Sequence, residues 1–394
     1  MTSATIAAAR LLGRPARDLA THAREHGPLS TPSRTLIDLL ARAGLTGHGG
    51  AGFPTWRKLA AVVATGRPPV VVANAAEGEP ASGKDRELLA RVPHLVLDGL
   101  QLVADAVGAR DVYFYGAGVE AALAQRARWD RRRVTVVPTP DRFVAGEESA
   151  VVAAVEGREA WPRDKTVRIG QSGVRGRPTL VQNVETLAHV ALIARYGAPW
   201  FRQLGLPDEP GTFLATLSGA VARPGVHEAP YGVPLGELLA AAGGPVEPLQ
   251  AVLVGGYHGA WVPPDPALPI SRAGLRGFGA SPGAGVVVAL PASVCGLAAA
   301  ARITGYLAGQ SARQCGPCVN GLPRLADTLA RLADRSPDPR LPAEVARIAD
   351  LVAGRGACHH PDGRVRLVRS TLSTFDNEVR WHLAGRCTAA GRLP

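Results

Sequence analysis

The sequence predicts an α/β protein: a parallel-sheet domain, then a small β-rich domain, then a largely helical C-terminal region. Three observations carry this. Short β-branched runs alternate with helical stretches through the first half. A Pro/Gly-rich break, Leu206 to Gly211, is followed by strand-like runs and one helix. From about Pro291 onward, Leu, Ala and Arg recur at helical spacing.

Taken in order, Thr35 to Ala43 reads as a helix, and Trp56 to Val63 opens another after a glycine run. Pro69 to Asn74 is a strand entering a polar loop. Leu88 to Val107 reads as one helix, with apolar positions at Leu89, Val92, Val96, Leu100, Val103 and Val107. Strand Val112–Tyr115, helix Val119–Trp129 and strand Val134–Pro138 follow, and a helix starts near Glu147. This alternation implies a parallel sheet with both faces covered. Ligands of such sheets bind beyond the strand carboxyl ends, so the loops after Asn74 and Pro138 are the expected site-formers, and both are acidic. Phe213–Gly219, Val226–Glu228 and Val252–Gly255 are strand-like, with a helix over Leu235–Ala242. Helices are expected at Leu322–Leu332 and Pro342–Val352. The expected domains are 1–205, 206–290 and 291–394.

Hydrophobic residues make up 46% of the 394 but aromatics only 5%, so the core is built from Ala, Val and Leu, and disorder is excluded. The net charge of +11 suggests nucleic acid, anionic lipid, a phosphorylated ligand or an acidic partner. The arginines are scattered, with Arg131–Arg133 the one run and no aromatic interleaving, so no nucleic-acid partner is expected. Five cysteines are too few and too uneven for a disulfide scaffold and suit a reducing, cytoplasmic setting with a metal or cluster site. Arg10, Arg14 and Arg17 interrupt any signal-peptide core. The uncharged stretch between Arg276 and Arg302 is broken by Pro282 and Pro291. It reads as a buried strand, a turn and a helix, and no membrane span is expected.

Lysine is scarce. Of 44 basic residues 41 are arginine (44 − 3). Lys58, Lys84 and Lys165 each sit beside glycines or acids, where a compact ammonium suits the site better than a guanidinium fork.

Three segments carry chemistry. Gly47-x-Gly49-x-x-Gly52 follows a helix instead of a strand, so it is not a dinucleotide fingerprint. It is a glycine bend whose N–H groups can approach a flat or anionic ligand, with Lys58 beyond it. The loop Asn74–Pro80, with Glu77 and Glu79, and the pair Glu147–Glu148 place carboxylates near the expected cleft, where they can bind ring N–H groups or sugar hydroxyls. Taken alone, these acids better fit a solvated loop and a helix start favoured by the macrodipole. Cys315-Gly316-Pro317-Cys318, with Cys358-His359-His360 downstream, is a metal-site pattern that suits an iron–sulfur cluster or a structural Cys₃His zinc ion.

The runs Gly44–Thr55, Asn74–Arg86, Gly146–Ala150, Gln171–Gly173, Gln182–Thr186 and Cys315–Cys318 occur in one order. Together they resemble the NADH-binding flavoprotein subunit of respiratory complex I (the 51 kDa, or F, subunit), a family that includes related subunits of NAD-linked hydrogenases and formate dehydrogenases. The resemblance covers about Gly44 to Trp381. It implies a Rossmann-like FMN-binding α/β domain, a ubiquitin-like β-grasp domain of the SLBB type and a helical bundle with an iron–sulfur site. It also implies NAD(P)H oxidation through FMN and a [4Fe–4S] cluster, with a partner iron–sulfur subunit as electron acceptor. The implied FMN residues are Gly47, Gly49, Gly50, Lys58, Asn74, Glu77, Phe143, Glu147, Glu148, Asn183 and Thr186. Phe53, Glu79, Glu148 and Lys165 would lie near the nicotinamide nucleotide. The cluster ligands would be Cys315, Cys318 and Cys358. Lys84 falls within a matched segment and Lys58 just after one, while Lys165 lies between two.

The departures are informative. Ala76 stands where the family has Asp, Arg168 and Ala61 where it has aromatics, and Ala312 where its Cys-Gly-x-Cys-x-x-Cys motif has the first cysteine. A lost base-stacking aromatic costs about 1–3 kcal/mol. Arg168 also suits a 2′-phosphate, so NADPH stands beside NADH as donor. Either a fourth ligand that is not a motif cysteine completes the cluster (water, His359, His360 or, if its helix folds back, Cys295), or a three-iron cluster forms. The competing expectation is a non-catalytic paralogue with a degraded flavin pocket and zinc, or nothing, at the thiols.

Overall fold

The computed structural model describes residues 9–28, 35–164 and 166–389. The chain forms two compact units: Met1–Ala215 with Val226–Val233, and Thr216–Gly225 with Pro234–Pro394. The first unit carries α1 (Leu19–His26), α2 (Leu36–Ala43), α3 (Thr55–Val63), β1 (Val70–Asn74), α4 (Lys84–Arg91), α5 (Pro93–Val107), β2 (Asp111–Tyr115), α6 (Glu120–Arg126), β3 (Val134–Val137), α7 (Glu148–Val155), β4 (Thr179–Asn183) and α8 (Val184–Phe201). The chain passes between units at β5 (Thr212–Gly219) and β6 (Gly225–Pro230).

The expected parallel sheet is present. Its order is β3-β2-β1-β4, and every neighbour pair is parallel. Alternation decides the layers. Val71 and Ala73 join the core that includes α5 and α8, while Val70 and Val72 pack with Val151 and Val152 of α7. A fully buried aliphatic side chain is worth about 1.5–3 kcal/mol, so a sheet packed on both faces holds its carboxyl edge still. Gly99 lets α5 touch α8 closely: a Cβ there would lie 1.9 Å from the Leu187 carbonyl oxygen. That contact fixes the start of α8 at the sheet edge.

The single helix expected over Leu88–Val107 is two. Val92 leaves the helical region (φ −138°, ψ 53°) because Pro93 opens α5. β4 and α8 have no counterpart in the sequence reading. β4 is a five-residue strand without period-2 contrast, buried along nearly its whole length.

The second unit adds α9 (Leu235–Ala241), β7 (Leu249–Val254), β8 (Ala260–Val262), α10 (Arg272–Leu275), β9 (Val286–Pro291), α11 (Gly296–Gly309), α12 (Leu322–Ala333), α13 (Leu341–Val352), α14 (His360–Thr374) and α15 (Asp376–Leu383). β9 pairs parallel to β5 through Thr216–Gly219 and antiparallel to β7, which pairs antiparallel to β8. The uncharged stretch is β9, a turn and α11, as its prolines predict. Among the described residues no helix is long and apolar enough to cross a membrane. Leucines 322, 325, 329 and 332 form the buried stripe of α12.

Candidate cofactor and cluster sites

β1 and β4 end side by side, with Asn74 and Asn183 as register partners. Strand order reverses here, since β1 lies between β2 and β4, and such a switch point opens a crevice beyond the carboxyl ends. Both asparagines knit the loops that rim it. Asn74 Nδ2 donates to the Gly146 carbonyl at 3.0 Å, and its Oδ1 accepts from Ala76 N at 3.1 Å. Asn183 caps α8, its Oδ1 accepting from Glu185 N at 3.0 Å. The acidic loop and the Gly146 loop are in close contact: a Cβ on Gly78 would lie 2.6 Å from the Arg142 carbonyl oxygen.

The glycine bend joins this edge. Thr186 accepts from His48 N at 2.9 Å, and a Cβ on Gly49 would sit 3.6 Å from Asn183 Cβ. His48 turns inward, its ring 4.8 Å from that of buried His189. The other face of the bend is open. A Cβ on Gly50 would meet nothing within 4 Å. Among the described residues the N–H groups of Gly49, Gly50 and Ala51 have no hydrogen-bond partner. Three adjacent donors on an open glycine surface fit a flat, anionic cofactor such as FMN. Lys58, one turn into α3, pairs with Glu148 at the start of α7.

Behind the edge lies an ion cluster. Lys84 Nζ is 2.7 Å from Asp85 and 2.8 Å from Glu185, and donates to Asn183 Oδ1 at 3.3 Å. Asn183 Nδ2 donates to Asp85 Oδ2 at 2.7 Å, and Glu185 accepts from Leu214 N at 2.8 Å. Burial works against the Lys84 charge, but Asp85 and Glu185 outweigh it and hold its pKa above the ordinary lysine value. The scarce lysine is thus a buried positioning residue that orients Asn183. Asp85 and Glu185 lie within matched runs, but the sequence alone assigns them no role because only folding brings them together.

The other expected residues are placed as follows. Glu77 turns onto its own loop, accepting from Ser82 Oγ at 2.6 Å, Asp85 N at 3.0 Å and Arg86 N at 3.2 Å, so it caps α4. Glu79 accepts from Ala81 N at 3.3 Å. Phe143 lies half-buried in the turn before α7, and Glu147 caps α7 through Ser149 N at 2.9 Å. Phe53 is 43% exposed and Arg168 is exposed. Lys165 lies outside the described residues.

In the second unit, Cys315 and Cys318 lie at the turn leading into α12, and Cys358 precedes α14. Burial pushes the Cys318 thiol up to about 12, and neighbouring Cys315 and Cys358 add to this. Burial raises Cys315 too, but N–H donors from Ala357 and Cys318 outweigh it and leave that thiol below its ordinary value. Fully buried Arg364 on α14 faces Cys318 electrostatically, and burial lowers its guanidinium to about 9. Its three nitrogens have no hydrogen-bond partner among the described residues. A buried cation without a partner is costly, and a thiolate-bound iron–sulfur cluster is an anion that would answer it.

The structure narrows the fourth ligand. His360 is committed: its Nε2 donates to the Leu307 carbonyl at 2.9 Å, so Nδ1 accepts from His258 Nε2 at 3.0 Å. His359 is exposed and bonded to Asp362. Cys295 stands with Glu378, His382 and Cys387 instead. Ser311, beside Ala312, is buried with no partner for its hydroxyl among the described residues. Arg313, at the motif's glycine position, holds a left-handed φ of 53°, a conformation that favours glycine.

A family model described as the Nuo51 FMN-binding domain matches residues 40–192. An SLBB domain model matches 214–256, and the iron–sulfur binding region of NADH-ubiquinone oxidoreductase F matches 298–382. The F 2 subunit of NADH-quinone oxidoreductase from Rhizobium meliloti (strain 1021) is 32% identical over 376 residues, 89% of each chain. The chain belongs to the family of NADH-quinone oxidoreductase F subunits. The F subunit of the Streptomyces coelicolor enzyme is 30% identical over 89% of this chain and 83% of its own length. The crystal structure of an air-oxidized NAD⁺-reducing [NiFe]-hydrogenase superposes with a TM-score of 0.83 at 31% identity, covering 95% of this chain and 66% of that one. The family's fold therefore persists here although the motif cysteine at 312 and the motif aspartate at 76 are absent.

Proposed function

We propose that this member of the family oxidises NADH and relays the electrons to a partner iron–sulfur subunit of a larger complex, as a peripheral cytoplasmic component. When bound, FMN would supply hydride acceptance and one-electron release, and an iron–sulfur cluster the onward path for electrons; the protein's part is to bind, orient and tune. The glycine bend supplies N–H donors from Gly49, Gly50 and Ala51, and Gly47 sets its turn. Lys58 and Glu148 face the same edge as an ion pair, Lys58 offering positive charge and Glu148 hydrogen-bond acceptors for hydroxyl or amide groups. Asn74, Glu77, Glu147, Asn183 and Thr186 hold the rim loops in place, Phe143 belongs to the FMN side, and Phe53, Glu79 and Lys165 complete the nucleotide side. Cys315, Cys318 and Cys358 would hold the cluster, and Arg364 would offset its charge.

The single observation that carries this reading is the open glycine bend with three unpartnered N–H donors, among the described residues, at the β1/β4 switch point. The test is anaerobic purification with FMN, iron and nucleotide-driven acceptor reduction measured on one sample. About one FMN per chain, bleached on adding NADH, is expected. Protein that takes up no FMN on reconstitution defeats the proposal. Lys58→Ala should weaken FMN binding by about 1–2 kcal/mol, the loss of a charge-assisted hydrogen bond.

A further inference from the structure

We propose that Cys295, Glu378, His382 and Cys387 form a mononuclear zinc site, distinct from the Cys315–Cys318–Cys358 group. One ligand atom from each of the four lies within 4.8 Å of the others. The proposal does not depend on the flavin reading, since every residue in it belongs to the helical part of the second unit.

The spacing suits one tetrahedral ion. Zinc–sulfur bonds of about 2.3 Å and zinc–nitrogen bonds of about 2.05 Å, at the tetrahedral angle, put sulfur and nitrogen about 3.6 Å apart. Cys295 Sγ and His382 Nε2 are 3.5 Å apart. The corresponding sulfur–oxygen separation is also about 3.6 Å, and Cys295 Sγ to Glu378 Oε1 is 3.9 Å. Of these three pairs, His382–Glu378, at 2.9 Å, must open by about half an ångström to reach tetrahedral geometry. A cuboidal cluster would need its ligands much farther apart.

The surroundings orient each ligand. Glu378 and His382 lie one turn apart on α15 and both are buried. His382 Nδ1 donates to the Leu332 carbonyl at 3.0 Å, which leaves the Nε2 lone pair toward Cys295 and Glu378. Cys295 caps α11, its sulfur accepting from Ala298 N at 3.4 Å, and a helix N-terminus favours thiolate over thiol. Thr388 N approaches both Glu378 oxygens, at 3.1 and 3.3 Å, next to Cys387 in sequence. Two thiolates, an imidazole and a carboxylate in a closed tetrahedral set select zinc over magnesium or calcium. The ion would clasp the segment after α15 to the start of α11, with no open position for catalysis.

The test is zinc and iron stoichiometry on the full chain, purified from zinc-supplemented cells and stripped of loose metal with a chelator. About one zinc per chain is expected. The Cys295→Ser/Cys387→Ser double variant should lose it while keeping wild-type FMN and iron. Should that variant fail to fold, the wild type still decides. Titration with an organomercurial should release one zinc, and cobalt-supplemented protein should show thiolate-to-cobalt absorption. Wild-type protein without zinc, zinc that leaves with Cys315→Ser instead, or a Cys295–Cys387 disulfide found by mass spectrometry would each overturn the proposal.

Discussion

The flavin edge of the first unit and the thiol region of the second treat buried charge in opposite ways. Lys84, Asp85, Glu185 and Asn183 satisfy one another at the flavin edge. Arg364 beside Cys318 has no partner among the described residues. A self-satisfied network is preformed before any cofactor arrives. An orphaned charge makes its surroundings dependent on the ligand. The flavin edge should therefore keep its shape when empty, and the cluster region should not.

Removing Lys84 should break this contrast most severely. Lys84→Met leaves two buried carboxylates unpaired, and breaking a buried pair from one side costs about 3–5 kcal/mol. Chemical denaturation of the first unit should show that loss whether or not FMN is bound. A loss below about 1 kcal/mol would mean that water reaches the cluster.

Arg364→Met should change sign with loading. In cluster-stripped protein it removes a buried unpaired cation and should stabilise by about 1–4 kcal/mol. In loaded protein it should speed iron loss to a chelator and lower the cluster's potential, read by EPR-monitored redox titration. Destabilisation of the stripped form would show that Arg364 has a protein partner.

How much of this was legible in the string depended on range. Val70–Asn74 and Gly47–Gly52 announce themselves locally, through β-branching and glycine density. Lys84 drew attention by rarity, yet its role rests on Glu185, which arrives from another strand–helix junction. Arg364 is one arginine among 41, and only burial sets it apart. Cys295 read only as a possible fourth cluster ligand and Cys387 as nothing in particular, because their companions, Glu378 and His382, lie on an ordinary amphipathic stretch. Val92 shows a local failure: apolar spacing ran through Pro93, and steric restriction before proline prevailed.

Acid should weaken the first unit's interior through a buried histidine. Fully buried His189 is kept neutral, its pKa lowered to about 3 by burial and then by His48. The unfolded chain takes up the proton near pH 6.5, so stability is full above that value and falls as pH drops toward 3. Between pH 7 and 5 the loss is about 2 kcal/mol. Below about pH 4 Asp98 adds to it. Burial raises the Asp98 pKa, but His22, Arg126 and Arg195 outweigh it and hold the carboxyl well below the usual range. That contribution is present above the unfolded value and lost as pH falls. Thermal melts of wild type and His189→Gln between pH 7 and 5 check the first step, and a variant with an unchanged slope would remove His189 as its cause.

The smallest effect probes the outermost part of the flavin side. Arg168 stands where the family has an aromatic, on an exposed turn whose carbonyl accepts from Gln171 N and Ser172 N at 2.9 and 3.1 Å. Arg168→Phe should restore adenine stacking worth about 1 kcal/mol, the low end of the range because the turn is exposed. Stacking on the adenine is the same before and during hydride transfer. It should therefore lower KM for NADH about fivefold and leave kcat unchanged. The same change removes a guanidinium from the place a 2′-phosphate would need, so kcat/KM for NADPH should fall relative to NADH. A shift in kcat with KM constant would put Arg168 somewhere other than the adenine end, and steady-state kinetics with both nucleotides separates the two outcomes.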